Sequence, residues 1–230
     1  MKIDFDFSLI LKLSLMFIPY LSFTFLSTLA ALFAGTVVAV GIVKLQLSKN
    51  KILNSVALIY VGAIRCTPAI ILIFLVFYGL PFVVQLFGGN IINFPRPFFL
   101  IMALSILFSA TFSEVMRSAY LAVNKGQTEA AISIGLSKFQ AFYRIVFPQA
   151  FKYAIPNTGN SIISLFKETS LAYTIGVIDL MGKGNLYLGQ NYGMHALETY
   201  VTVGLIYWFC IIIFERIFKL LDKHFSRGKV

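Results

Sequence analysis

The chain has 230 residues, of which 59% are hydrophobic and 12% charged, with a formal net charge of +10. Soluble domains carry about 25% charged and about 45–50% apolar residues, so a water-soluble globule of this size is excluded. A disordered chain is excluded too, because disorder requires low hydrophobicity, and an integral membrane protein remains. A helical span needs about 20 apolar residues. Residues 7–18 are apolar but carry Lys12 and precede Pro19, which predicts a short interfacial helix. No small-residue cleavage site separates it from the apolar stretch beginning at Leu21, so it is not read as a cleaved signal. Residues 21–43 hold no charge and form the first span. Residues 52–87 are too long for one straight span and are interrupted by Arg65 and Pro68. They predict a cytoplasmic helical extension from 52 and a second span over 67–87, with Pro68 in its first turn, where a missing N–H costs nothing. A third span is expected over 97–115, an unusually polar fourth over 156–180 and a fifth over 197–218.

Charge assigns the sides. Thirteen of the 19 Lys and Arg follow the first, third and fifth spans: Lys44, Lys49, Lys51; Arg117, Lys125, Lys138, Arg144, Lys152; Arg216, Lys219, Lys223, Arg227, Lys229. The opposite side holds Lys2, Lys12, Arg96 and Lys183, while Arg65 and Lys167 fall within apolar blocks. Excess Lys and Arg mark the cytoplasm. The reading is one all-α transmembrane domain over 1–230, five helices, N-terminus outside and C-terminus inside. The basic residues then meet lipid phosphates and solvent, and nucleic acid is rejected as a partner. Cys66 and Cys210 form no C-x-x-C pair, and His195 and His224 have no ligand partners nearby in sequence, so no metal site is expected. Glu215 and Lys219 are spaced as an i,i+4 pair, and Tyr207 and Trp208 read as packing residues of the fifth span. There is no internal repeat, and five spans do not divide into equal halves, unlike the repeat-built carriers.

The connection over 118–155 is long for a membrane-helix loop. Glu129-Ala130-Ala131 favours helix, Gly135 suits a C-terminal cap, and Ser137-x-x-Gln140 is a capping-box pattern. Phe139, Phe142, Tyr143 and Val146 then recur at helical spacing, and Pro148 is expected to end or kink this helix. The pattern predicts two short helices joined at Gly135, lying at the cytoplasmic membrane surface. Amphipathicity alone describes an interfacial loop.

The spacing carries more. Glu129-Ala130-Ala131, three residues, Gly135, nine residues, Ile145, one residue and Phe147-Pro148 resemble the EAA loop of the membrane subunits of binding-protein-dependent ABC importers. Six positions agree, with Phe147 in the usual Leu place. Gly126-Gln127, Pro148-Gln149-Ala150 and Lys167-Glu168-Thr169-Ser170-Leu171 are similar to the polar-amino-acid permeases of that family. So are Arg65-Cys66-Thr67-Pro68, with Cys66 in a Gly place, and Ser113-Glu114 with Arg117, with Ser113 in an Ala place. The resemblance implies a multi-pass permease subunit of the bacterial cytoplasmic membrane, with the loop acting as a coupling helix. Its implied partners are a second permease subunit (a copy or a paralogue), a cytoplasmic ABC ATPase dimer, an extracytoplasmic amino-acid-binding protein and membrane lipid. It implies ATPase-coupling roles for Glu129, Ala130, Ala131, Gly135, Ile145 and Pro148. In such a loop small alanines permit close packing and Glu129 pairs with a basic group of the ATPase. The plainer reading of Glu129 is a solvated helix start.

No cofactor or catalytic residue is expected on this chain; ATP and magnesium belong to the partner ATPase. Gly176 to Gly182-Lys183 misses the phosphate-binding loop motif, with a gap of five residues instead of four and Gly184 in the Ser/Thr place. The candidate substrate path is the fourth span. Asn157, Ser161, Ser164 and Glu168 fall on one helical stripe; Asn160, Lys167 and Thr174 fall on a second about 100° away. A charge facing mid-bilayer lipid costs at least about 2.5–3.5 kcal/mol, so Lys167 and Glu168 face protein or a watery path. Path lining and interhelical pairing both remain open for them, as does snorkelling for Lys167. Glu114 is a further candidate, although Arg117 lies one turn on and can neutralise it. Arg65 reads as an interface anchor. Two other classes stand beside the importer: a carrier or channel for small polar solutes needing no ATPase, and a membrane assembly factor.

Overall fold

The computed structural model describes residues 5–226, and every regular element among them is helical. Lys2, Arg227 and Lys229 lie outside the described residues. The elements are α1 (Phe7–Phe17), α2 (Leu21–Gln46), α3 (Lys51–Cys66), α4 (Ala69–Phe74), α5 (Leu80–Leu86), α6 (Arg96–Leu121), α7 (Lys125–Ser133), α8 (Lys138–Ala141), α9 (Phe147–Glu168), α10 (Leu180–Gln190) and α11 (Ala196–Ser226). Among the described residues four stretches are long and apolar enough to cross a membrane: Phe7–Gln46, Ala69–Leu86, Arg96–Leu121 and Ala196–Phe225.

The central contact is α2 against α6. Thr24, Ser27, Thr28, Ala31, Gly35 and Ala39 recur every three or four residues on α2 and are all buried. The opposite face, with Leu26, Leu29, Phe33 and Val37, is exposed. Here small and hydroxylated residues go inside and large apolar ones outside, as membrane packing requires when lipid is as apolar as leucine. A Cβ on Gly35 would lie 2.9 Å from the Ser105 carbonyl oxygen, so only glycine admits this approach. The buried hydroxyls donate to carbonyls one turn back, Ser27 to Phe23 at 2.8 Å and Thr28 to Thr24 at 2.7 Å. That leaves no polar atom of theirs unpaired in an apolar surround.

Several expectations change. The predicted interfacial helix is α1, but it continues through a 3-10 turn at Ile18–Tyr20 into α2. It buries Leu13 and Phe17 in a cluster with Leu180 and Val203, so it is a packed element. Asp6 caps it, accepting from the Ser8 and Leu9 N–H groups and the Ser8 hydroxyl, and the Ser8 bonds hold its carboxyl below the usual range. The break before the second span falls at Thr67-Pro68, with Pro68 just ahead of α4 and outside its first turn. A π turn at Leu75–Gly79 joins α4 to α5.

Pro148 neither ends nor breaks the helix that starts at Lys138. A π turn over Phe142–Val146 precedes it, and Phe147 N–H closes on the Phe142 carbonyl. The widened turn restarts the helix, so Pro148 occupies a first-turn position where its missing N–H is harmless. The helix over the predicted fourth span therefore begins at Phe147, well before Pro156, which lies inside it, and this helix is not among the four apolar stretches. It also ends earlier: α9 stops at Glu168, a 3-10 segment runs from Thr169 to Ile175, and Gly176 turns the chain with a φ of +74°. Helix α10 is an element that the hydropathy pattern does not anticipate. Trp208 is 62% exposed, which places it on the outer surface instead of in packing.

Candidate functional site

The loop between α6 and α9 is built from explicit stop and start signals. Asn124 caps α7 by accepting from Gly126 N–H at 2.8 Å. Gly135, at φ +90°, ends it: Gly135 N–H donates to Ile132 at 3.0 Å and Leu136 N–H to Ala131 at 3.1 Å. These two bonds form a Schellman closure, which requires the left-handed conformation that glycine adopts freely. Just beyond it Ser137 and Gln140 form a reciprocal capping box, at 2.9 and 3.2 Å, and start α8. The chain direction between the helices is thus fixed by backbone hydrogen bonds on both sides of Gly135.

Ala131 and Ala141 are buried, with α7 folded back onto α8 and the π turn. Glu129, Ala130, Gly135 and Pro148 are exposed and Ile145 is half-buried. Glu129 lies beyond the first turn of α7, so a helix-start role does not describe it. It makes no ion pair among the described residues. Ile134 and Phe139, 78% and 73% exposed, flank Gly135. No motif position marks either of them in the sequence. Phe139, Tyr143 and Phe147 stack in a column with centroids 5.8 and 5.7 Å apart. An exposed apolar rim beside an unpaired carboxylate is a surface fit for a protein partner.

Helix α9 continues this element without a break in helical backbone from Lys138 to Glu168. Its Ile155, Gly159, Leu165 and Phe166 face inward, and a Cβ on Gly159 would lie 2.7 Å from the Phe218 ring. Asn157, Asn160, Ser164 and Lys167 lie outside the buried face of the helix. Ser161 is buried and donates to the Asn157 carbonyl at 2.9 Å. Ser161, Ser164 and Glu168 line a small cavity of about 50 Å³ with Leu107, Phe108 and Thr111 of α6. One carboxylate oxygen of Glu168 is buried without a hydrogen-bond partner among the described residues. Sequence reasoning does not find Thr111, for which the one available signal is its position a turn before Glu114. The structure thus brings Asn157, Asn160, Ser164 and Lys167 onto one polar side of α9 with Ser161 and Glu168 at its buried edge, while Thr174 falls in the 3-10 segment beyond the helix.

Glu114 is apart from that cavity. Arg117 Nε donates to it at 2.9 Å and Gln46 Nε2 at 3.3 Å. Asn54 in turn donates to the Gln46 carbonyl, tying α3 to the end of α2. The Glu114 carboxylate therefore clasps α2 and α6 at the basic end. Arg65 is exposed. At the other end Arg96 donates to the Gly176 carbonyl at 3.2 Å.

Comparison with known proteins agrees with this architecture. Residues 31–227 match the family described as the binding-protein-dependent transport system inner membrane component. The chain is 36% identical over 205 residues to the L-cystine transport system permease protein TcyL of Bacillus subtilis, covering 89% of this chain and 84% of that one. It is 38% identical over 189 residues to the probable amino-acid permease protein YxeN of the same organism, covering 81% and 82%. A crystal structure of an amino acid ABC transporter with histidines superposes with a TM-score of 0.83 at 30% identity, covering 96% of this chain and 100% of that one. The chain belongs to the family of inner membrane components of binding-protein-dependent transport systems.

Proposed function

We propose that this chain is the membrane-spanning permease subunit of an ATP-driven, binding-protein-dependent importer of polar amino acids. The observation that carries it is continuity: the doubly capped loop that presents Glu129 and Ala130 leads, through α8 and the π turn, into the helix that carries the polar face. A displacement of that loop by a partner moves the polar face as part of the same helical body. Two access states related by such rigid-body motion are the physical content of alternating access.

The ATPase is a separate chain, and it binds ATP and magnesium. Glu129, Ala130, Ala131, Gly135, Ile145 and Pro148 form the coupling element. Asn157, Asn160, Ser161, Ser164, Lys167 and Glu168 line the path, which suits a zwitterion because each charge and amide there offers a polar partner. The pairing with Arg117 and Gln46 supports a structural part for Glu114. Helix α9 supplies the fourth span in chain order, too polar to pass as a lipid-facing helix. A second permease subunit, copy or paralogue, covers its exposed side. The charge distribution supports an N-terminus outside, a C-terminus inside and a multi-pass placement in the bacterial cytoplasmic membrane. An extracytoplasmic binding protein delivers the amino acid from the opposite face.

The test is purification of the tagged chain from its native membrane in mild detergent, with mass spectrometry of the proteins that accompany it. A stoichiometric ABC ATPase, lost on substituting Glu129 and Gly135, is expected. A transport-competent assembly with no ATPase leaves a carrier or channel instead.

A further inference from the structure

Helices α2, α9 and α11 meet at Phe25, Phe166 and Phe214, whose rings lie 5.2 to 5.9 Å apart. Toward the ends of α2 and α11 that carry Lys44 and Lys219, the two helices leave between them a cavity of about 850 Å³. Its walls come from the last turns of α2, the end of α6, the π turn, the start of α9 and the end of α11. The lining is aliphatic and aromatic, with Phe112, Phe151 and Leu221 among it, and Lys44 is its one charged residue among the described residues. Lys44 pairs with no carboxylate among the described residues.

The cleft is open on one side, where Tyr143 and Leu221 of its lining are exposed, and its volume lies within the range of single-ligand sites. An amino acid does not suit it. The lining offers no carboxylate, and a zwitterion there would leave its charges largely unpaired in an apolar surround, which is costly. A hydrocarbon chain needs only apolar walls. Lys44 supplies the attraction for one anionic group at the rim, at the end of the molecule where basic residues meet the anionic leaflet.

We infer that this cleft is a binding site for an anionic phospholipid of the cytoplasmic leaflet, with an acyl chain between α2 and α11 and the phosphate at Lys44. The leaflet assignment rests on the orientation proposed above. Phe142, Tyr143 and Phe147 belong both to this lining and to the π-turn junction between α8 and α9. A seated chain therefore braces the joint through which the loop acts on the polar helix.

The experiment uses the whole transporter in nanodiscs of equal phosphatidylglycerol and phosphatidylcholine, followed by native mass spectrometry of retained lipid. Wild type is expected to retain phosphatidylglycerol. Ala154→Trp, which fills the cleft, is expected to lose it at least several-fold, and so is the gentler filler Ala150→Leu in lesser degree. Lys44→Gln is expected to keep a lipid but lose the preference for phosphatidylglycerol. Val37→Trp, on the exposed face of α2, serves as the control and leaves retention unchanged. Equal retention in wild type and both filled variants overturns the inference. So does a photo-crosslinker at position 143 that captures a protein chain in place of lipid. Lipid retention is read without ATP hydrolysis, so its failure is separate from failure to find a partner ATPase.

Discussion

Tyr207 donates its hydroxyl to Asp179 across 3.3 Å, joining the middle of α11 to the residue that starts α10. Asp179 is wholly buried, and its other carboxylate oxygen accepts from Gly182 N–H at 2.8 Å, the N-cap bond of α10. Thr24 of α2 receives the Leu180 N–H at 3.4 Å beside it. The buried carboxylate thus pins the turn after α9 to α11, and the neighbouring Leu180 N–H pins it to α2. Asp179→Ala removes the cap, worth about 0.5–2 kcal/mol, and takes away the carboxylate to which the Tyr207 hydroxyl donates. Thermal unfolding of the purified complex in detergent should occur at clearly lower temperature for Asp179→Ala. Asp179→Asn, whose amide oxygen still accepts the cap bond, should fall between it and wild type. Equal melting of all three would remove the pinning role.

Gly135 stands in open space, with nothing within 4 Å of a built Cβ, so the demand on it is conformational. Its φ of +90° penalises side chains by about 1–2 kcal/mol. Asn tolerates the left-handed region better than Ala or Val does. Substrate-stimulated ATPase activity of the assembled transporter should therefore fall in the order Gly, Asn, Ala, Val at position 135, with membrane insertion unchanged. A bulky but flexible residue performing as well as glycine would mean that the Schellman closure is dispensable.

Gly35 and Gly41 lie on one helix but meet different surroundings. A Cβ at position 35 runs into the Ser105 carbonyl and the Phe108 ring, whereas at position 41 it meets nothing. Overpacking of this kind costs about 1–3 kcal/mol. Gly35→Val should reduce the folded yield after detergent extraction, and Gly41→Val should not. The contrast cancels any general effect of valine on insertion, and equal yields would contradict the close α2–α6 contact.

The parts legible in the sequence are those governed by local chemistry. The caps at Gly135 and at Ser137 with Gln140 need only residues within a few positions, and the structure forms both. The family is legible because six loop residues keep fixed distances. The extent of α9 is not, because Pro148 and Pro156 read as boundaries. The π turn at Phe142–Val146 absorbs the first, and packing against α6 and α11 holds the helix through the second. Helix α10 is hidden by its glycines at 182, 184 and 189, which lower helix propensity. Its Asp179 cap is a local signal, but Tyr207 reaches that carboxylate across 28 residues and Thr24 reaches Leu180 across 156. Trp208 is misplaced because apolar character alone does not tell an outward-facing membrane residue from a core one.

Helix α9 turns a polar side outward, with Asn157, Asn160, Ser164 and Lys167 off its buried face, while it packs against α2, α6 and α11. Facing them to lipid would cost at least about 2.5–3.5 kcal/mol for the lysine alone. They are suited to meet water or another subunit, whereas Val37 and Trp208 are exposed and apolar, as a lipid-facing surface is. Single cysteines at 157, 160, 164 and 167 should react with a membrane-impermeant, hydrophilic maleimide in a Cys66→Ser, Cys210→Ala background. Cysteines at 37 and 208 should react much more slowly, because the thiolate that attacks the reagent forms only in contact with water. Trapping the ATPase in its closed state should change the rates at the four polar positions together, since they ride on one helix. Uniformly slow labelling at all six positions would place the polar face in a sealed contact and remove it from the path.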